Sequence, residues 1–547
     1  MSAIDISEIL DNCQPSAKRR REDDYGQGVS NLNTANADAA EILAALENDD
    51  SQEEVVDEMT VKRIVLQLEK KTLKNREMRI KHADEPQKFM DSELELNNAI
   101  QEMHCIATQP DLYGVVVETG AVESLIQLLS HENSDILSAV LNLVQELTDT
   151  GIISEGTENT MELLGALIQE KIAETIVQQS FERLDESIKD EADAVNNALT
   201  IIDNILDPVP EFAVNCVNEG LFKWLLLRAC KKSSFDGNKM FASELLALLL
   251  QLTPVAREQL CAEVNGVDMI LTALASYKRR DPGTPDENEH MENLFGALCA
   301  SLLYGPNRLK FLEGEGIQLM NLMLREKKQS RQSALKVLNH ATTGPEGREL
   351  CGKFVDIFGL RTLFPLFMRT PTKAKRKDSS PDEHEENVCS VIVSLMKFVD
   401  LDSKQRIILK FVEHEQEKVD RTIELFLKYS RRLSTFERRN AQRPSTSREE
   451  DEDEKYVQRM DAGLYTLQLA SLILTDVCVG SHMCLSRATK LMRMKTKNGN
   501  VLSHVKPILE DYIAHLGEEA QEERTRVTNL LLALEGMTDV EESHGHA

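Results

Sequence analysis

Apolar residues recur three and four positions apart along most of the chain after Val61, which is the spacing of one face of an α-helix. Leu, Ala, Glu and Lys are abundant and aromatic residues make up only 5% of the chain, a balance that favours helix over sheet. The chain is therefore predicted to be all-α. Its most regular helical stretches are ILSAVLNLVQEL, AVNNALTIIDNIL, ASELLALLLQLT, ENLFGALCASLL, SALKVLNHAT and ENVCSVIVSLMKF.

Each of these long helices ends a unit that recurs. The unit starts at a marker residue, continues through a short apolar helix and a polar break, and closes with the long helix. Gly is expected at the marker because a steep turn between helices usually needs a positive φ, which Gly adopts without a Cβ clash. One copy has Lys at the marker, which predicts a differently built turn there. The markers lie 51, 49, 46, 50 and 43 residues apart: Gly120, Lys171, Gly220, Gly266, Gly316 and Gly359.

One such unit cannot bury its own apolar faces, whereas stacked units share a continuous core. The units resemble armadillo repeats with inserted loops. We predict an all-α, armadillo/HEAT-like right-handed superhelical solenoid of about six units, with helical N- and C-terminal caps. The alternative is an irregular helical domain in which the glycines coincide by chance.

The pattern divides the chain into seven segments. A disordered acidic tail (1–60) and a helical N-terminal cap (61–110) precede the repeats (111–402). Charged helices (403–440), an acidic linker (441–455), a helical C-terminal cap (456–536) and a disordered tail (537–547) follow the repeats.

The chain of 547 residues carries a net charge of −29. A charge of this size disfavours direct binding to nucleic acid or anionic membrane and favours basic partners. No apolar run reaches the length of about 18 residues that a transmembrane helix needs. The ten cysteines form no CxxC and mostly lie in apolar helical runs, which indicates a reducing compartment.

The acidic tail contains one basic cluster of Lys18, Arg19, Arg20 and Arg21. We interpret this cluster as a nuclear localisation signal of the chain itself, although four-residue basic clusters also arise by chance. Residues 22–60 hold twelve Asp or Glu and no Lys or Arg.

Two insertions separate second and third helices, at Tyr277–Asn293 and Thr370–Asn387. Both carry basic residues, then Thr-Pro or Ser-Pro, then acidic residues, and they read as solvated loops. Thr284 and Ser380 are candidate proline-directed phosphorylation sites. The simpler interpretation is that both are tolerated surface loops.

No motif for enzymatic chemistry is present: the sequence has no GxxxxGK[ST], HExxH, GxSxG or paired CxxC. HEQEK and DEHEEN have residue types that bind metals but not the spacing of known helical zinc sites. We therefore predict no catalytic residues, no metal site and no cofactor.

The third helices supply the candidate binding residues. In armadillo arrays they line a concave face where an extended peptide is held by polar side chains, one per repeat. The alternative is that these polar residues only solvate the surface. Alignment of the long helices puts six residues at the equivalent step before the helix end: Glu146, Asn204, Gln251, Ser301, Asn339 and Ser394.

Nuclear-import armadillo receptors largely carry Asn at this step and Trp one turn earlier. The sequence lacks that pattern, so a peptide would not be held by the Trp-Asn array of import receptors. The Trp positions hold residues such as Asn142, Thr200, Ala247 and Ala297.

Long strings of the sequence resemble the catenin-beta-like nuclear protein family over nearly the whole chain. They are AAEILAALENDD, EMRIKHADEPQKFMDSELELNNAIQEMHCIATQPDLY, AVESLIQLLSHENSDI and VNEGLFKWLL, in this order. The resemblance implies a nuclear, non-enzymatic armadillo protein of the spliceosome, in the Nineteen complex group. It also implies binding to the basic localisation segment of the Myb-domain cell-division-cycle-5-like splicing factor and to similar segments elsewhere.

The expected function is thus a nuclear scaffold in pre-mRNA splicing that binds basic segments of splicing factors in its groove. A nuclear-import adaptor is the alternative, but it needs an importin-β-binding segment, for which Lys18–Arg21 is too short. An enzyme is the third hypothesis and has no supporting motif. A homo-oligomer and an acidic tail that occupies the groove are further alternatives.

Overall fold

The computed structural model describes residues 56–153, 158–371, 380–442, 452–496 and 500–544, and the regular secondary structure in these ranges is helical. The predicted acidic tail, except for its last five residues, lies outside them, and so does most of the predicted linker.

Two helices form the N-terminal cap: α1 (Glu58–Lys81) and α2 (Met90–Ala107). The Asp57 side chain caps α1 by accepting a hydrogen bond from the Thr60 amide at 2.8 Å. Val61, Ile64 and Leu68 form the buried face of α1, which packs against α2.

Six three-helix units follow, and the third helix of each contains one of the six long stretches predicted from the sequence, in two cases without the last one or two residues. The first three units comprise α3 (Tyr113–Glu118), α4 (Ala121–Leu128) and α5 (Ser134–Leu147); then, after the single turn α6 (Thr150–Ile153), α7 (Glu158–Gln169), α8 (Ile172–Thr175) and α9 (Lys189–Leu206); then α10 (Phe212–Asn218), α11 (Leu221–Cys230) and α12 (Gly237–Leu252). The next three comprise α13 (Pro254–Ala262), α14 (Gly266–Ala275) and α15 (Pro285–Ser301); α16 (Gly305–Glu313), α17 (Gly316–Arg325) and α18 (Arg331–Thr342); and α19 (Arg348–Asp356), α20 (Leu360–Met368) and α21 (Pro381–Phe398).

The three-helix order continues beyond residue 402, where the sequence predicts charged helices and a cap. The helices there are α22 (Leu401–Val412), α23 (Glu417–Ala441), α24 (Glu452–Arg459), α25 (Tyr465–Gly480), α26 (His482–Lys495), α27 (Val501–Ala514) and α28 (Gln521–His544). Helices α25 and α28 take the place of third helices in two further units. The last helix also passes residue 536, where the predicted C-terminal cap ends.

The third helices lie side by side in one layer, each in contact with the next. The first and second helices of successive units stack against one another outside this layer. Within the described ranges the layer comprises α2, α5, α9, α12, α15, α18, α21, α25 and α28.

The marker turns are of two kinds, and the glycine explanation holds for only one. Gly120 and Gly220 have φ of 73° and 90°, and Lys171 takes the same left-handed conformation at 56°. The turn at Lys171 is therefore not built differently. No atom lies within 4 Å of a Cβ added at Gly120 or Gly220, so only the backbone conformation selects Gly there.

At the other three markers the left-handed residue is the one before the glycine: Asn265, Glu315 and Phe358. A Cβ on Gly316 would lie 2.3 Å from the ring of Phe311. Gly is required at these positions by close packing rather than by a positive φ.

Among the residues that the structure describes, two helical stretches are long and apolar enough to cross a membrane by length and composition alone, Ser134–Ile153 and Asp453–Gly480. The sequence expectation that no run reaches this length is thus wrong by this measure. Both stretches contain third helices of the layer, α5 and α25, and 83% of the apolar window of the second is buried inside the protein. Their apolar side chains are part of the core.

Candidate peptide-binding surface on the third helices

The structure separates the six residues predicted to line the groove. Asn204, Ser301 and Ser394 are buried and do not reach the surface of the third-helix layer. Successive residues of a helix point about 100° apart, so an alignment error of one position turns a surface residue inward. For these three residues the assignment as groove contacts is wrong.

Gln251 is exposed, and Glu146 and Asn339 are half-buried. Glu146 accepts or shares a hydrogen bond with Nδ1 of His104 on the neighbouring helix α2 at 2.6 Å. The Asn339 amide donates to Oδ1 of Asn387 on α21 at 2.8 Å. Only Gln251 of the six is fully open to a partner.

A row of polar contacts joins consecutive third helices, and the sequence reasoning missed it. Besides the two pairs above, Asn196 donates to Asn238 at 3.1 Å and Ser333 donates to Glu292 at 2.7 Å. Because buried polar groups need partners at fixed positions, such contacts set the register of one helix against the next. Asn339 and Glu146 therefore serve the alignment of the layer.

Three carboxylates stand on three consecutive third helices: Asp203 on α9, Glu244 on α12 and Glu289 on α15. We call these residues the acidic row. The pKa of Glu244 is raised, first because neighbouring atoms displace water from its carboxylate and then because Asp203 and Glu289 repel its negative charge. The three groups are thus close enough to interact although about 40 residues separate them along the chain.

The Glu244 side chain is accessible to solvent, and neighbouring atoms nevertheless displace part of the water around its carboxylate. No Lys, Arg or His of the described ranges lies within 4 Å of the Glu244 or Glu289 carboxylate. The acidic row therefore concentrates negative charge that a basic segment would neutralise.

Tryptophan does not line the third helices as it does in import receptors. The sole tryptophan, Trp224, lies on α11, a second helix, and stacks on Phe181 with ring centroids 3.8 Å apart. The chain has no Trp to cover the aliphatic stems of bound lysines, so charge carries more of any recognition here.

Thr284 and Ser380 have a structural role as helix N-caps. The Thr284 hydroxyl accepts a hydrogen bond from the Glu287 amide, and the Ser380 hydroxyl accepts one from the Glu383 amide, both at 3.0 Å. The parts of the two insertions from Pro285 and from Pro381 onward are helical, so the loops are shorter than the sequence suggests. Both hydroxyl residues are exposed.

The possible metal ligands and the cysteine thiols of the described ranges show no arrangement for chemistry. Within the described ranges no cluster of three His, Cys, Asp or Glu side chains could hold a metal ion. The nine described cysteines are unpaired, and burial raises the pKa of the Cys299 and Cys389 thiols to about 12. These thiols stay protonated and unreactive at neutral pH. The predicted localisation signal, Lys18–Arg21, lies outside the described residues.

Comparison with protein-family models gives a match over residues 40–510 to the family described as "Catenin-beta-like, Arm-motif containing nuclear". The chain belongs to this family. Membership agrees with the three-helix units and establishes the all-α armadillo solenoid predicted from the sequence. This catenin-beta-like family consists of armadillo-repeat proteins that generally lack enzymatic activity.

Relatives in the catenin-beta-like family cover most of the chain. It is 45% identical over 471 residues to Beta-catenin-like protein 1 of Mus musculus, covering 85% of this chain and 83% of the relative. It is 44% identical over 489 residues to the Homo sapiens protein of that name, covering 87% and 86%. The homolog of Schizosaccharomyces pombe is 29% identical over 456 residues, covering 82% and 78%.

Solved structures give a weaker likeness. One, from a study of the phosphorylation-controlled interaction between cadherin and beta-catenin, matches with a TM-score of 0.46 and 12% identity, covering 81% of this chain and 66% of that chain. An engineered protein matches with a TM-score of 0.34 and 16% identity, covering 45% and 90%. Neither score is high enough to carry an argument about function.

Proposed function

We propose that the chain is a non-enzymatic nuclear scaffold of the spliceosome that binds basic, localisation-type segments of splicing factors on its third-helix layer. The partners proposed are the Myb-domain cell-division-cycle-5-like protein and other members of the Nineteen complex. The acidic row of Asp203, Glu244 and Glu289 is the observation that carries the binding part of the proposal.

The geometry of the row suggests what such a segment looks like. Packed helices lie about 8–10 Å apart, and an extended peptide advances about 3.3 Å per residue. A peptide that crosses the third helices in an extended form would therefore meet one carboxylate about every third residue. Basic segments with Lys or Arg at such intervals fit this spacing.

Binding should weaken as salt is raised, because the row lies open to solvent and its charges are screened over about 10 Å at 0.1 M salt. The net charge of −29 adds a long-range attraction that accelerates encounter with a basic segment.

The decisive experiment neutralises the row. In D203N/E244Q/E289Q the affinity for a labelled Lys/Arg-rich peptide should fall about tenfold, since each lost charge pair at a solvent-accessible site contributes up to about 1 kcal/mol. A matched control is E258Q/E349Q/D356N, which removes the same charge from exposed positions on the first helices α13 and α19. Equal affinities of the two variants would show that only the net charge of the chain matters. The acidic row would then not be the binding site.

The nuclear and spliceosomal part needs a separate test. Capture of the full chain from nuclear extract should return splicing factors, and the row variant should return fewer of those that carry basic segments. Capture without any splicing factor would contradict the scaffold proposal even if peptide binding holds.

A further inference from the structure

An arginine-lined cleft opens on the C-terminal half of α23, within the seventh unit. Its volume is about 430 Å³, and it lies between α23 and the π-helical turn Met460–Leu464 that leads into α25. We call it the arginine cleft. It is lined by Arg431, Arg432, Thr435, Phe436, Arg439 and Ala462, and the surface that these residues present inside the cleft is almost entirely apolar.

The backbone next to the cleft is held in place by close packing. Gly463 has φ of 106°, and a Cβ at this position would lie 2.8 Å from the ring of Tyr429. Tyr429 is buried and donates a hydrogen bond to Glu385 of α21 at 2.8 Å, which anchors this part of α23. π-helical turns are rare and often occur at functional sites.

The charges of the cleft are not balanced by the surrounding protein. Arg431 and Arg439 are exposed, and no carboxylate of the described ranges lies within 4 Å of either guanidinium. Arg432 differs, since it pairs with Asp382 of α21. Arg431 and Arg439 therefore place two positive charges without a carboxylate partner in the described ranges beside an accessible aromatic ring, and an anionic partner would neutralise them.

The chemistry of these side chains defines the partner. Guanidinium groups bind carboxylate or phosphate in a bidentate manner, and the half-buried ring of Phe436 offers an apolar contact between them. Arg431 and Arg439 are 8 residues apart, which is about 12 Å along a helix and about four residues of an extended peptide.

We propose that the arginine cleft binds a short extended peptide with two anionic side chains, carboxylate or phosphorylated, about four residues apart and an apolar residue between them. This site has the opposite charge preference to the acidic row and lies on a different part of the protein. A long polyanion such as RNA is disfavoured, because beyond the cleft it would meet the negative charge of the rest of the chain.

The test uses the full chain and fluorescein-labelled peptides of about twelve residues, with anisotropy as the readout. One peptide carries two glutamates four positions apart with leucine between them, and a second carries phosphoserines instead. R431A/R439A should bind both about tenfold more weakly than the unsubstituted chain. K278A/R279A is the matched control, because it removes the same charge from two exposed residues after α14.

The readings are distinct. Loss of binding in R431A/R439A with binding retained in K278A/R279A supports the site, and the ratio between the two peptides tells whether phosphate or carboxylate is preferred. Equal binding by both variants, or no binding by the unsubstituted chain at low salt, overturns the proposal. Tighter binding of single-stranded RNA of equal charge, lost in R431A/R439A, would replace it with a nucleic-acid site. Unchanged circular dichroism excludes a folding defect, and none of these results depends on the acidic row.

Discussion

The glycines at the turns between first and second helices are required for two different reasons. Gly120 and Gly220 are selected by backbone conformation, whereas Gly316 and Gly359 are selected by the aromatic rings of Phe311 and Phe354 packed against them. The residues before the latter two glycines, Glu315 and Phe358, hold the left-handed conformation at some cost, because a Cβ disfavours it.

Substitutions at one turn should separate the two causes. We expect Glu315→Gly to raise the free energy of unfolding by about 0.5 kcal/mol, since relief of left-handed strain slightly exceeds the added chain entropy. Gly316→Ala should lower it by about 1–3 kcal/mol through the clash with Phe311. Urea unfolding followed by circular dichroism measures both.

The turn at Gly120 provides the contrast. Gly120→Ala should cost about 1 kcal/mol from the backbone alone, because nothing lies within 4 Å of the new Cβ. If Gly316→Ala were harmless, the packing explanation for the later markers would be wrong.

Buried histidines make stability depend on pH. Burial, and next the nearby ammonium of Lys239, lower the pKa of His290 to about 4. The unfolded chain, with an ordinary histidine pKa of about 6.5, binds the proton more readily between these values. The free energy of unfolding should therefore fall as the pH drops from about 6.5 to 4, by up to about 3 kcal/mol for this residue.

A comparison of variants tests this dependence. In His290→Gln the urea midpoint should change less between pH 7 and pH 5 than in the unsubstituted chain. His482→Gln, at an exposed histidine, should leave the dependence unchanged. A pH dependence that survives in His290→Gln would assign it to other groups, such as His384, whose pKa burial also lowers.

Individual helices owe their starting points to short polar signals. Asp57, Asp236, Thr284, Ser380 and Asp400 each cap a helix by accepting a hydrogen bond from a backbone amide three residues on. Thr284 and Ser380 precede Pro at the first helical position, where its missing N–H costs nothing. The Thr-Pro and Ser-Pro sequences thus have a structural use whether or not they are phosphorylated.

Loss of a cap should be measurable at the helix. Thr284→Ala should lower the free energy of unfolding by about 1 kcal/mol, because the Glu287 amide loses its acceptor. Thr284→Ser keeps the hydroxyl and should be close to neutral. Thermal unfolding of the two variants gives the comparison, and equal losses would show that the methyl group matters rather than the cap.

The helices and their order could be read from the sequence, but the facing of individual residues could not. Periodicity indicates which stretches are helical, and it predicts the six long third helices. Whether Asn204 points outward depends on the rotation of α9 against its neighbours, which the polar contacts between third helices set. For the same reason, sequence reasoning does not identify the acidic row. Its members belong to different units and lie at different distances from the ends of their helices.

A network of ion pairs around a buried carboxylate joins the helices at the C-terminal end of the array. Asp476 on α25 is 2% exposed and accepts hydrogen bonds from Lys404 on α22 at 2.8 Å and from Arg526 on α28 at 3.0 Å. Glu523 on α28 extends the network to Lys397 on α21 at 2.7 Å. Highly charged sequence after residue 402 led to the prediction of a separate cap, yet these charges join the seventh and eighth units to the sixth.

Removal of the central carboxylate should loosen this end of the array. Asp476→Ala removes the buried carboxylate that pairs with Lys404 and leaves Arg526 with Glu523 alone, and we expect the free energy of unfolding to fall by about 2–3 kcal/mol. Asp420→Ala breaks the more exposed pair with Arg487 and should cost less than about 1 kcal/mol. Limited proteolysis and thermal unfolding report the difference, and similar losses would mean that burial of the network is unimportant.

The two kinds of marker turn also decide how this solenoid can be cut and rejoined. The equivalent backbone positions are residues 120, 171, 220, 265, 315 and 358, so the glycines of the later units stand one residue past the true junction. A chimera spliced glycine to glycine between an early and a late unit would gain or lose one residue at the turn. The following helix would then be rotated by about 100° and present its polar side to the core. Recombination within such an array succeeds only where the left-handed residues are matched.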